Sequence, residues 1–255
     1  MDSAIEADPK PGLKTALIGM ANITPLLLLA LLVVAGGHVW IGPKLIDLLS
    51  HVIEFSGFIQ GKNELLPVVL AQILWDVLWS CTTEPLLVLL PAIAVARARV
   101  GDALGWGAIG LQAMKRWPII VIPFAFVEII TFVGYQLLLP GVFIEILCTY
   151  VIISLVLGSV RGAPQGALMP WIKRPFATLG LLATYWVAAL LLFFAVRVPF
   201  MSAEDIFGSF VGASQTPPMV LGLSAAFVGL LTILCNGCLA SFYLDWADQR
   251  TAERQ

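Results

Sequence analysis

The side chains best placed for chemistry in this sequence are acids in apolar surroundings: Asp76, Glu84, Glu128 and Glu145. Each falls within a hydrophobic stretch that contains no Lys, Arg or His. A charge at the centre of a hydrocarbon layer costs several kcal/mol. Such acids are therefore expected to face a hydrated cavity, lie near an interface, or be protonated. Asp76 and Glu84 are eight residues apart, roughly 80° around a continuous helix, so they can share one side of it. Glu145 follows the turn signal Pro140-Gly141 closely enough to reach water. The functional reading of this set is a proton or cation path, or a site for a cationic group. The structural reading is hydrogen bonding between helices, with Gln72, Thr82, Thr83 and Tyr135 as partners.

Other reactive residues offer less. Cys235-Asn236-Gly237-Cys238 has the spacing of a redox pair, but it lies in an apolar run. Thiol chemistry needs a thiolate with access to water, so these cysteines are expected to fill core space. His38 and His51, with Glu54 nearby, are a thin basis for a metal site. No nucleophile motif, Gly-rich phosphate loop or HExxH sequence is present. The expectation is therefore of no catalytic residues, no cofactor and no metal. No block of like charge points to nucleic acid.

The elements that carry these acids follow from composition. The chain has 255 residues, 60% hydrophobic and 12% charged, with a mean hydropathy of +0.96. Soluble domains carry about 25% charged residues, so this chain has too little polar surface to cover a globule in water. A spanning helix needs about 20 apolar residues. Six such stretches can be read, at about 18–40, 65–96, 117–138, 142–160, 176–196 and 219–243. The predicted fold is an all-α, polytopic helical bundle forming a single transmembrane domain over 1–255. Residues 41–64 have apolar positions spaced three and four apart with charges between them, predicting an amphipathic interfacial helix. The connectors 101–114 and 163–172 are expected along the opposite interface, since Trp106, Leu111, Met114, Leu168, Met169 and Trp171 would otherwise be exposed on loops. Pro85 predicts a kink in the second span, and Pro91 adds a second proline. Gly222 with Ala226, and Ala225 with Gly229, are small-residue pairs suited to close helix packing. The mixed charge of the first seventeen residues argues against a cleavable signal peptide.

Alternating spans assign each Lys and Arg to a side. Eleven of the fourteen fall with the termini and with the connectors 97–116 and 161–174; only Lys44, Lys62 and Arg197 fall opposite. Positive charge concentrates in cytoplasmic loops, which predicts a bacterial inner-membrane protein with both termini cytoplasmic. The two basic connectors share a layout, each ending in a basic pair shortly before a proline, as a duplicated hairpin would.

From Leu87 to Arg250 the chain resembles a bacterial family of six-helix membrane proteins, the membrane domain of glycerophosphoryl diester phosphodiesterases. The resemblance is carried by Ala92-Ile93-Ala94-Val95-Ala96-Arg97 and by Leu139-Pro140-Gly141-Val142-Phe143-Ile144-Glu145-Ile146. It is carried also by Arg161-Gly162 with Ala167-Leu168 and Trp171, and by Phe242-Tyr243-Leu244-Asp245. Where relatives often have a basic residue two positions after the glutamate, Leu147 stands here. The resemblance implies fold and topology and supplies no catalytic residue; no soluble phosphodiesterase is expected to follow Gln255. The function expected is a non-catalytic envelope accessory that binds membrane lipid or a membrane-protein partner. The alternative is a secondary transporter or channel using Asp76, Glu84 and Glu128.

The topology yields a direct test. Cysteines introduced at Lys62 and Glu204 should react with an impermeant reagent applied from outside, and cysteines at Gln112 and Gln165 should not. Outside labelling of Gln112 would refute the arrangement.

Overall fold

The computed structural model describes residues 12–56, 66–102, 105–136, 148, 150–157, 167–168, 171–197 and 218–252. Helices form α1 (Gly12–Asn22), α2 (Thr24–Gly36), α3 (Gly42–Phe55), α4 (Leu66–Arg99), α5 (Trp106–Gln136), α6 (Pro175–Arg197) and α7 (Pro218–Ala252). A π-helical turn, Gly37–Ile41, joins α2 to α3. Residues 150–157 are also helical, and no strand occurs among the described residues. The fourth expected span falls mostly outside the described residues, as does Glu145. Among the described residues, four helices are long and apolar enough to cross a membrane: Thr24–Phe55, Leu70–Arg99, Pro175–Leu192 and Met219–Asp248.

The N-terminal region departs from the expected single helix over 18–40. α1 ends at Asn22, and Ile23 forms a tight turn with its N–H donated to Met20 O at 3.2 Å. Pro25 explains the break, because it has no N–H for the Ala21 carbonyl one turn back. The Thr24 hydroxyl supplies that bond instead, at 2.8 Å, a side-chain substitution common where water is absent. Further on, α3 continues from α2 rather than following a loop. Pro43 again lacks a donor, and the chain passes it by widening: Gly42 N–H reaches back five residues to Gly37 O. Thr24 to Phe55 thus forms one near-continuous rod of about 48 Å at 1.5 Å per residue. The amphipathic character expected of 41–64 survives in α3, where Lys44, Asp47 and His51 are exposed and Ser50 is buried.

The expected connector over 101–114 is also helical in its larger part. Residues 106–116 are the first three turns of α5, which runs on through Pro118 and Pro123. Read from sequence, Lys115-Arg116-Trp117-Pro118 resembles a helix start, since proline favours a first turn. α4 likewise runs unbroken through Pro85 and Pro91. α7 runs past the expected span end near 243, as far as Ala252.

The chain divides into two compact units. The first comprises residues 1–29, 85–184 and 232–255. Its centre is the second half of α4, buried on all sides from Leu87 to Val95, where no apolar side chain exceeds 6% exposure. A helix apolar all round belongs in such an interior. α1 lies against it where Gly19 meets Ala94: a Cβ on Gly19 would stand 2.8 Å from Ala94 O. Gly237 of α7 packs on Met20, whose sulfur would lie 2.5 Å from an added Cβ. Ile153, Val156 and Ile233 are buried in the same unit.

The second unit comprises residues 30–84 and 185–231. Here Trp75 and Trp79 stack at 4.9 Å against the π turn. The Trp79 indole occupies the space a side chain at Gly37 would need, and its Nε1 donates to Val34 O at 3.3 Å. Gly222 of α7 lies on Ala35 and Val39; a Cβ there would come within 2.5 Å of Val39 Cγ2 and 3.0 Å of Ala35 O. The small-residue pair starting at Gly222 therefore does admit a neighbouring backbone.

These approaches predict a graded response to alanine. Gly19→Ala and Gly222→Ala force backbone or side-chain shifts and should each cost roughly 1–3 kcal/mol, read as a lower Tm in detergent. Gly180→Ala meets nothing within 4 Å and should be neutral or slightly stabilising, since alanine favours helix. Equal Tm values for all three variants would contradict the packing.

Candidate functional site

The acids singled out from sequence that fall among the described residues lie on two helices, Asp76 and Glu84 on α4 and Glu128 on α5. Asp76 and Glu84 belong to the second unit and Glu128 to the first. Asp76 lies on α4, with its side chain outside the described residues. Glu84 is half-buried and takes a hydrogen bond from Ser80 one turn earlier on α4. Glu128 is half-buried near the middle of α5. The threonines expected as their partners bond within their own helix: Thr83 donates to Trp79 O at 2.7 Å, and Thr82 to the same carbonyl at 2.9 Å. The four cysteines are free thiols; Cys235 is buried and Cys238 half-buried.

The charged centre that does form was not anticipated. It joins the end of α4, the start of α6 and the last turns of α7, all in the first unit. Asp245 is its hub. Arg99 Nη1 donates to Asp245 Oδ1 at 2.7 Å, and Arg174 Nη1 stands 3.0 Å from Asp245 Oδ2, so each carboxylate oxygen meets a different guanidinium. Arg99 Nε lies 2.8 Å from Asp248 Oδ2, close enough for an ion pair although not aligned as a hydrogen bond. Arg97 pairs with Asp102 at 2.9 Å just beyond the helix end. Arg174 also lies over the Phe242 ring, 5.6 Å from its centroid.

Local sequence explains the assembly. Phe242, Asp245 and Asp248 recur at three-residue spacing and so share one face of α7. Arg97 and Arg99 close α4, where the helix dipole favours cations. Arg174 immediately precedes α6, where the dipole disfavours a cation; Asp245 and the Phe242 ring offset this. The centre is graded in depth. The Arg99 and Asp245 side chains are 11% and 13% exposed, whereas Arg97 and Asp102 are 37% and 40% exposed.

Beside the cluster, Tyr150 is fully buried. Its hydroxyl pairs with Thr178 Oγ1 at 2.9 Å, and its ring meets the Trp171 indole edge-on at 6.2 Å. Arg116 of α5 donates to the Val156 carbonyl. The 150–157 helix is thus fastened to α6 near one end and to α5 near the other. These contacts hold helix ends in register; they present no nucleophile or acid–base pair. No protein-family model, curated protein or solved structure matches the chain.

The depth gradient predicts unequal sensitivity. Asp245→Asn leaves two arginines without their shared anion and should cost roughly 3 kcal/mol, as for other partnered charges that lose one member in a poorly solvated site. Asp102→Asn touches a more exposed pair and should cost less than about 1 kcal/mol. Thermal unfolding in detergent measures both; a milder loss for Asp245→Asn than for Asp102→Asn would contradict the hub assignment.

Proposed function

We propose that this chain is a six-span protein of the bacterial inner membrane, with both termini cytoplasmic and a non-catalytic role in the envelope. In this role it binds membrane lipid or a membrane-protein partner. The observation that carries the reading is the apolar outer surface of its long helices. Leu28, Leu29 and Leu32 on α2, and Phe176, Val187, Leu190 and Leu191 on α6, are all exposed. In water such a surface would drive association; in hydrocarbon it is the ordinary outer face of a bundle.

Two further spans join the four long apolar helices in this reading. α5 carries only Glu128 as a charged residue from Trp117 to Gln136, and the apolar stretch 142–160 follows it. The eleven-to-three distribution of Lys and Arg supports cytoplasmic termini. The resemblance to the phosphodiesterase membrane-domain family agrees with this topology and rests on the motifs quoted for it. A scaffold role fits a charged centre whose members neutralise one another at helix ends.

The competing transport reading makes a separable prediction. In proteoliposomes the wild-type protein should show no pH-driven flux, and Glu128→Gln should behave identically. Protein extracted in mild detergent should retain phospholipid in native mass spectra. A pH-dependent flux abolished by Glu128→Gln would replace the accessory role with transport.

A further inference from the structure

The cations of the two basic segments that fall among the described residues divide into two groups. Arg97, Arg99 and Arg174 each meet an aspartate. Lys115, Arg116 and Lys173 are exposed, and none of them has an acidic partner among the described residues. Arg116 gives one N–H to the Val156 carbonyl, a neutral acceptor that does not offset its charge. All three belong to the first unit.

Their neighbours are apolar and exposed. Met114 is 58% exposed and Ile119 69%, on either side of Lys115 and Arg116; Ile172 is 66% exposed and Phe176 87%, on either side of Lys173. Ile122 and Phe126 extend the exposed stripe along α5. Trp117, beside Arg116, and Trp171, two residues before Lys173, are the residue type that concentrates at membrane–water boundaries. Lys and Arg in such a setting lay their aliphatic stems on apolar surface and hold the charge at the polar boundary.

We infer that Lys115, Arg116 and Lys173 are headgroup contacts for anionic phospholipid, with the adjoining stripe of α5 and the start of α6 receiving its acyl chains. The inference rests on the membrane reading above and specifies the lipid. Charge complementarity selects an anion. The exposed Ile119, Ile122 and Phe176 select an amphiphile over a soluble phosphate or an acidic protein, either of which would leave these side chains in water.

The test uses the full chain reconstituted in vesicles of phosphatidylcholine mixed with phosphatidylglycerol. Spin-labelled forms of each lipid report the fraction immobilised at the protein surface. Wild-type protein should prefer phosphatidylglycerol, by up to about fivefold for each cation that engages a phosphate, and added salt should weaken the preference. The triple variant Lys115→Gln/Arg116→Gln/Lys173→Gln should immobilise both lipids equally. Lys173→Gln alone should lower the preference partway, and it serves if the triple variant does not fold. Lys44→Gln, on α3, should leave the preference intact. Equal immobilisation of both lipids by the wild type, or an undiminished preference in the variants, overturns the headgroup assignment while leaving the membrane reading standing. Immobilisation of neither lipid overturns both.

Discussion

The constraint on which the rest of this structure depends is that backbone polar groups must find partners inside the protein. A chain with so apolar an outer surface cannot rely on water for its N–H and carbonyl groups, and helices satisfy them within one segment. Where proline interrupts the ladder, the repair is local. Thr24 reaches the Ala21 carbonyl in place of the N–H that Pro25 lacks, and the Gly37–Ile41 turn widens ahead of Pro43. The same demand explains why Thr82 and Thr83 spend their hydroxyls on carbonyls of their own helix.

Close packing follows from that economy of polar groups. Without a strong hydrophobic drive between helices in lipid, association depends on contact area and on small residues that let backbones approach. Gly19, Gly37, Gly222 and Gly237 occur where a neighbouring helix or indole fills the space of a side chain. At the helix ends, charge takes over. Asp245 binds Arg99 at the end of α4 and Arg174 just before α6, fixing the ends of α4, α6 and α7 together. An ion-paired hub of this kind favours one arrangement of helix ends over others as much as it adds stability.

Much of this was legible in the sequence, because hydrophobic run length reports helices directly. α4, α6 and α7 lie where the apolar stretches predict them, and Gly222 is a contact as its small-residue spacing suggests. Pro118 was misread as a helix boundary. Lys115-Arg116-Trp117-Pro118 has the composition of a helix start, yet α5 begins eleven residues earlier at Trp106, since a long helix with tertiary support tolerates an internal proline. The Asp245 hub lies outside the apolar stretches, just past the end of the sixth, so hydrophobic run length does not point to it. Its signal was present: the charge count places Arg97, Arg99, Arg174, Asp245 and Asp248 at one side, and Phe242, Asp245 and Asp248 share a helix face.

The central claim is that lipid, rather than water, surrounds the helices, and α6 distinguishes the two most sharply. Only 11% of its apolar window is buried within the protein, against 61% for α4. Hydrogen–deuterium exchange on the full chain in bilayer nanodiscs should find the amides of residues 178–192 as slow as those of residues 85–95. Exchange across 178–192 at the rate of a solvated surface helix, with 85–95 protected, would contradict the account.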